Sequence, residues 1–243
     1  MSSSEISFHT PLQRIYDEIH SCHVCQNMDP SKEMRLTAAI DQSMDVFIVS
    51  QALAEGQLRK SGVNFFNEGG ILGNTGRNLE KFLNQFNRTV YPPRKVSLAS
   101  GAMVRQATSS FRSVYNTELT QCFPGKTGKG EDRVPSSTEI TTCLGRNFLK
   151  REIALMMPTL LLLMGDKSRK AFYKYITAMP RKDTLQAHLD NIIASGSIPM
   201  HKIGEVSVSV LPIQHASGAN PAFNGMLKNE QLITLIRDFL EQS

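Results

Sequence analysis

The chain lacks the features that would place it outside the ordinary globular class. No apolar run reaches membrane length. The longest, residues 154–164 (ALMMPTLLLLM), is interrupted by Pro158 and falls short of the roughly 20 residues a spanning helix needs. The opening Met1-Ser-Ser-Ser-Glu5 carries neither a basic segment nor an apolar stretch. No secretory signal is therefore expected, and the expected location is cytoplasmic. No Pro/Ser-rich linker and no internal repeat interrupts the sequence, which favours one domain over residues 1–243. Cysteine is scarce: four residues, Cys22, Cys25, Cys122 and Cys143.

The chain is 40% hydrophobic and 20% charged, enough to build one substantial core. Its formal net charge of +5 suits a polyanionic partner such as DNA and excludes a strongly acidic class.

Hydrophobic periodicity outlines the fold. Residues 9–21 read as an amphipathic helix with Leu12, Ile15, Tyr16 and Ile19 on one stripe. Strands are expected at 45–50 (DVFIVS), 114–122 (VYNTELTQC), 159–164 (TLLLLM) and 205–213. The all-apolar third run is what a central parallel strand covered on both faces requires. Helices are expected at 76–86, at 165–178 and at 226–242, and from a capping box at Ser136–Glu139 to about Met156. Alternation of strand and helix predicts an α/β, three-layer α/β/α sandwich on a mostly parallel four-stranded sheet. A ligand would then lie beyond the carboxyl ends of the strands, near residues 50–54, 122–125 and 214–220.

The four cysteines are all available to one site. Thiolates suit zinc and iron–sulfur clusters alike. The later pair, separated by 20 residues, is not a zinc knuckle, which favours a cluster.

Taken in order, several motifs resemble the uracil-DNA glycosylase superfamily, most closely its iron–sulfur families 4 and 5. These are Cys22-His-Val-Cys25; the strand ending in Cys122-Phe-Pro; Glu139-Ile-Thr-Thr-Cys143-Leu; the run from Met157-Pro to Gly165; and His215-Ala-Ser217. The resemblance covers nearly the whole chain. It implies a structural [4Fe–4S] cluster on the four cysteines. It also implies a monomeric base-excision enzyme that flips a base out of DNA and hydrolyses its N-glycosidic bond, the base being uracil or another deaminated one.

The same resemblance distributes roles. His215 would donate to a carbonyl oxygen of the leaving base. Gln51 falls where family 4 has a water-activating glutamate; an amide can orient a water but takes no proton. Glu118 falls where an asparagine reads the base edge, and an ionised carboxylate only accepts hydrogen bonds. It would therefore pair better with an exocyclic amino group than with uracil O4, or it would serve as the water-activating base. Asn74 is a second candidate for holding water. Ala52, Phe65 and Phe66 are assigned to the base pocket, with one of the two phenylalanines supplying a stacking ring. Ser217, Gly218 and Asn220 would meet the DNA backbone or minor groove. Arg59, Lys60, Lys126, Lys129 and Arg133 are loop cations placed to meet phosphates, and residues 91–113 look like an insertion whose Lys95, Arg105 and Arg112 would extend that surface. Gln51, Leu53 and Glu118 depart together from the family pattern, which raises an alternative: a slow or inactive DNA-binding relative on the same scaffold.

Overall fold

The computed structural model describes residues 9–25, 28–30, 40, 43–52, 54–55, 61, 63–98, 100–218 and 220–242. Its centre is a sheet of β1 (Val46–Ala52), β2 (Tyr115–Thr120), β3 (Leu160–Met164), β4 (Met200–Ile203) and β5 (Val206–Ile213), in the spatial order β4-β5-β3-β1-β2. All neighbours are parallel except β4 and β5, which form an antiparallel hairpin at one edge. The sheet therefore has five strands where periodicity indicates four. The extra strand, MHKI, carries two polar residues and shows no alternating apolar pattern, because it is an exposed edge.

The period-two alternation of side chains splits the core into two layers. Val46, Ile48, Leu160, Leu162, Leu211 and Ile213 face one side, packed with α2 (Asn74–Leu83), α6 (Leu185–Ser195), α7 (Pro221–Leu227) and α8 (Glu230–Glu241). Phe47, Val49, Tyr115, Leu119, Leu161, Leu163 and Val210 face the other. There they meet α1 (His9–His20), α3 (Ser137–Gly145), α4 (Phe148–Met156) and α5 (Asp166–Tyr175). Leu12, Ile15, Tyr16 and Ile19 of α1 are all buried, as their stripe predicts.

Two stretches expected as single helices are each broken in two. Asn147 adopts a left-handed backbone (φ 59°) between α3 and α4, and Lys228 and Asn229 separate α7 from α8. Residues 91–113 form a short hairpin, Val96–Ser97 against Met103–Val104, that packs on the loop before α2. A Cβ added at Gly70 would come within 2.5 Å of the Met103 carbonyl oxygen, and Ser100 Oγ donates to the Glu68 carbonyl at 2.6 Å.

The start of α3 is fixed by charge as well as by its cap. Ser136 Oγ accepts from the Glu139 amide, and Glu139 Oε2 accepts from the Ser136 amide. Arg133 closes on the same carboxylate with two bonds of 2.8 and 2.6 Å. These bonds, Arg133 foremost, hold the Glu139 pKa down to about 2 from an ordinary 4.5. A depressed carboxylate stabilises the fold above its unfolded pKa and loses that contribution as pH falls toward its folded one. Chemical denaturation of wild type and Glu139→Gln across pH should therefore show a stability difference that is full near neutrality and shrinks between about pH 4.5 and pH 2.

Candidate active site at the strand ends

The carboxyl ends of β1, β2, β3 and β5 open into one cavity of about 530 Å³, within the range of small-molecule sites. It lies over β1 and β3, where the chain order reverses across the sheet. Gln51, Ala52, Phe65, Glu118 and His215 all line it. Gly165, which closes the motif begun at Met157-Pro, lines it too, as do Asn64, Asp132 and Lys167, none of which stands out in the sequence.

His215 follows β5 and sits at the solvent-accessible mouth. The Ser217 backbone N–H donates to its Nδ1 at 3.2 Å. That nitrogen is then the acceptor, and the neutral ring carries its proton on Nε2. Desolvation lowers the His215 pKa from its ordinary value, and the charge of Lys167 lowers it further. The ring packs against the turn into α5: Gly165 has φ 88°, and a Cβ there would stand 3.4 Å from His215 Cβ and 3.5 Å from Cδ2. A side chain at 165 would be strained and would press on the imidazole.

Glu118 comes from the interior of β2, in register with Ser50 of β1. It is only 1% exposed. Its Oε1 accepts from Asn64 Nδ2 in a short contact and from Asn116 Nδ2 at 3.2 Å. Asn64 belongs to a tight loop in which Ser61 Oγ donates to the Val63 carbonyl at 2.8 Å. Next in the chain, Phe65 takes a left-handed backbone (φ 71°), uncommon for a bulky residue. Its carbonyl accepts from the Gly73 amide at 2.8 Å. Gly76 allows this approach, since a Cβ there would lie 2.7 Å from the Phe65 oxygen. Both phenylalanines are buried in the same apolar core, where the Phe66 ring meets that of Tyr91 at 5.5 Å, and Phe65 also lines the cavity. Of the two residues, only Phe65 is part of the cavity lining.

The other residues singled out by sequence have the following surroundings. Asn74 is exposed outside the cavity lining, where its Oδ1 accepts from Arg77. Asn220 holds the loop: its Nδ2 donates to the His215 carbonyl at 3.0 Å, and its Oδ1 accepts from the Ala222 amide at 3.1 Å. Ser217 and Gly218 lie between them, and a Cβ added at Gly218 would be 3.9 Å from Asn74 Cβ. Lys126 pairs with Asp132 (2.6 Å) and Glu55 (2.9 Å), while Arg133 is tied to Glu139, so both cations serve internal pairs. Arg112 pairs with Asp45 at 3.0 Å, and Arg105 covers the Tyr91 ring at 4.1 Å. Lys129 is exposed on its loop. Leu53, Arg59 and Lys60 lie outside the described residues.

Cys22, Cys25, Cys122 and Cys143 surround a second, small cavity between α1, β2 and α3. None of the four is joined to another in a disulfide. Pro30 pairs with Cys122 in a two-residue antiparallel ladder, which holds the segment after Cys25 against the end of β2. The Gln121 amide donates to Cys143 Sγ at 3.3 Å, and burial raises the Cys25 pKa. Among the described residues no set of three or more His, Cys, Asp or Glu side chains converges as the ligands of a single metal ion would. Four thiols around one cavity, with a backbone N–H aimed at sulfur, are a donor set that fits an iron–sulfur cluster.

Among the described residues, no helix is long and apolar enough to cross a membrane. No curated protein matches the chain. The family model described as Uracil DNA glycosylase superfamily matches residues 38–240, leaving Cys22 and Cys25 outside the match. That span takes in the whole sheet, the cavity at its strand ends and nearly all of α8, and the chain belongs to the uracil DNA glycosylase superfamily.

Proposed function

We propose that the chain hydrolyses the N-glycosidic bond of a damaged base flipped out of DNA, with uracil and the other deaminated bases as the reference class for its substrates. The observation that carries this reading is His215: a neutral imidazole whose Nδ1 is held by a backbone amide and whose Nε2–H is left to donate into the cavity. As the glycosidic C–N bond breaks, its electron pair passes to the base, and a donor aimed at a base carbonyl oxygen stabilises that charge. The amino end of α5 and Lys167, both at the cavity, add positive potential on the same side. Phe65 offers a ring face for stacking, and Gln51 orients the water that adds to the sugar carbon. DNA is the partner, and its flipped base reaches the cavity from solvent.

The four cysteines hold a [4Fe–4S] cluster in this reading. Cys22 and Cys25 would bind from the end of α1, Cys122 from the end of β2 and Cys143 from α3. The cluster supplies a cross-link between these elements and takes no part in the hydrolysis.

One observation favours a second reading, a slow or inactive DNA-binding relative: Gln51 lines the cavity where a carboxylate would activate water. Incubation with oligonucleotides carrying uracil, hypoxanthine, xanthine or 5-hydroxycytosine, followed by alkali cleavage, separates the two. The first reading expects abasic product, and it expects His215→Ala to slow release by about 10²–10³-fold. Release should hold level as pH falls through 6.5 and decline only below it, because the folded-state pKa of His215 is lowered. DNA binding without release by the wild type would leave only the second reading.

The cluster has its own test. Purified protein should contain about four iron and four sulfide per chain, and Cys122→Ser should lower both the iron content and the melting temperature. A colourless protein with one zinc would refute the cluster.

A further inference from the structure

The wall of the cavity formed by β2 and the loop before Phe65 has its hydrogen-bonding character fixed by Glu118. This carboxylate is buried and draws the amide N–H groups of both neighbouring asparagines to itself. Rotating either amide by half a turn would set an oxygen against the carboxylate, so the orientation is determined by charge. The oxygens are what remain: Asn64 Oδ1 and Asn116 Oδ1 are both buried, with no hydrogen-bond partner among the described residues. Asn64 lines the cavity beside Glu118. It is also rigid, held by the Ser61–Val63 bonds on one side and the Phe65 turn on the other. Among the described residues, what Glu118 and Asn64 present at this end of the cavity is therefore hydrogen-bond acceptors.

The opposite wall has the reverse character. His215 follows β5, and β3 and β1 lie between it and β2. Its Nε2–H is a donor. A planar ligand lying across the strand ends thus meets acceptors at one end and a donor at the other, with Phe65 also lining the cavity.

Uracil suits the donor wall but not the acceptor wall. Its ring N–H is flanked by two carbonyl oxygens. When one of them meets His215, the other faces the Glu118 carboxylate and the Asn64 oxygen. A buried polar group left opposite a like group costs enough to exclude such a ligand. A 4-amino-2-oxopyrimidine resolves the conflict, with its amino group toward Glu118 and Asn64 and its carbonyl toward His215. We infer that the cavity selects a damaged cytosine that keeps its exocyclic amino group, in preference to uracil-type bases. The inference rests on the glycosylase reading for the arrival of the base, and on Glu118 and Asn64 for the edge that is read. Damage lowers the cost of unpairing, which favours extrusion of the lesion over normal cytosine.

The test is a matched pair that differs only at ring position 4: duplexes carrying 5-hydroxycytosine or 5-hydroxyuracil. Single-turnover release is measured for both, and affinity is measured with non-cleavable 2′-fluoroarabino nucleotides bearing cytosine or uracil. Wild type should favour the amino member by about tenfold or more in each assay. Glu118→Asn, which can turn a donor to the ligand, should reduce or invert that ratio. Because each ratio is taken within one preparation, partial unfolding of a variant does not alter it. Preference of the wild type for the uracil-type base, or a ratio unmoved by Glu118→Asn, would overturn the inference. Absence of any release would remove the glycosylase reading alone. The affinity ratio would then decide whether the edge is read as inferred.

Discussion

Burying the Glu118 carboxylate sets the terms for everything around the cavity. A charge in the middle of a sheet strand, 1% exposed, needs donors close by, since removing a partner from a buried ion costs several kcal/mol. One donor comes from its own strand, Asn116, and the other from the loop before α2, Asn64. Asn64 stays in place only while the loop is held tightly over β2. The left-handed turn at Phe65, the Gly73 amide and the missing side chain at Gly76 hold it there. The hairpin at residues 96–104 then packs behind this loop through Gly70 and Tyr91. In sequence that hairpin looks like an addition; in the fold it supports the cavity wall from behind.

The parts of the fold legible in sequence are those where one periodicity dominates. The run 159–164 reads correctly because both faces of β3 are covered, and α1 because a single stripe is buried. β4 has neither pattern, being a short edge strand that turns back at Gly204 (φ 62°). α6 did carry a signal, with Thr184 as its cap and Leu185, Leu189 and Ile192 at helical spacing. At the site, His215 is legible because a motif surrounds it. Asn64 is not, because its role is conferred by a carboxylate 54 residues away. The choice between Phe65 and Phe66 depends on one backbone angle, which side-chain identity does not reveal.

The two cavities share a strand. Gln121, whose amide reaches Cys143 Sγ, sends its side chain to the Glu118 carbonyl at 2.7 Å and to Thr117 Oγ1 at 3.2 Å. Thr117 donates in turn to the buried Glu152, which also accepts from Tyr115; Tyr115 meets Tyr16 of α1. A continuous set of buried polar groups thus ties α1, α4 and β2 together between the cysteines and Glu118. Partly satisfied, such networks are costly, and fully satisfied they rigidify a unique arrangement. In the proposed reading, a cluster joining α1, β2 and α3 through the cysteines would fix the same strand segment that positions Glu118, and would in that way bear on which base is accepted.

Charge is organised along the same lines. The net charge of +5 suggests a broad cationic face, yet Arg133 in the cavity lining is paired with Glu139, and Lys126 is paired with Glu55 and with Asp132 of the lining. Lys167 sits in the first turn of α5 beside His215, where its charge and the helix dipole act in one direction. That placement does little to grip a phosphate backbone, since one cation releases few counterions. In the proposed reaction it would act where a base acquires negative charge as its glycosidic bond breaks, and it adds to the desolvation that lowers the His215 pKa and favours the neutral, hydrogen-bond-donating imidazole. The pairs of Lys126 and Arg133 hold loops in place, and in the proposed reaction Lys167 and the amino end of α5 would act on the leaving group.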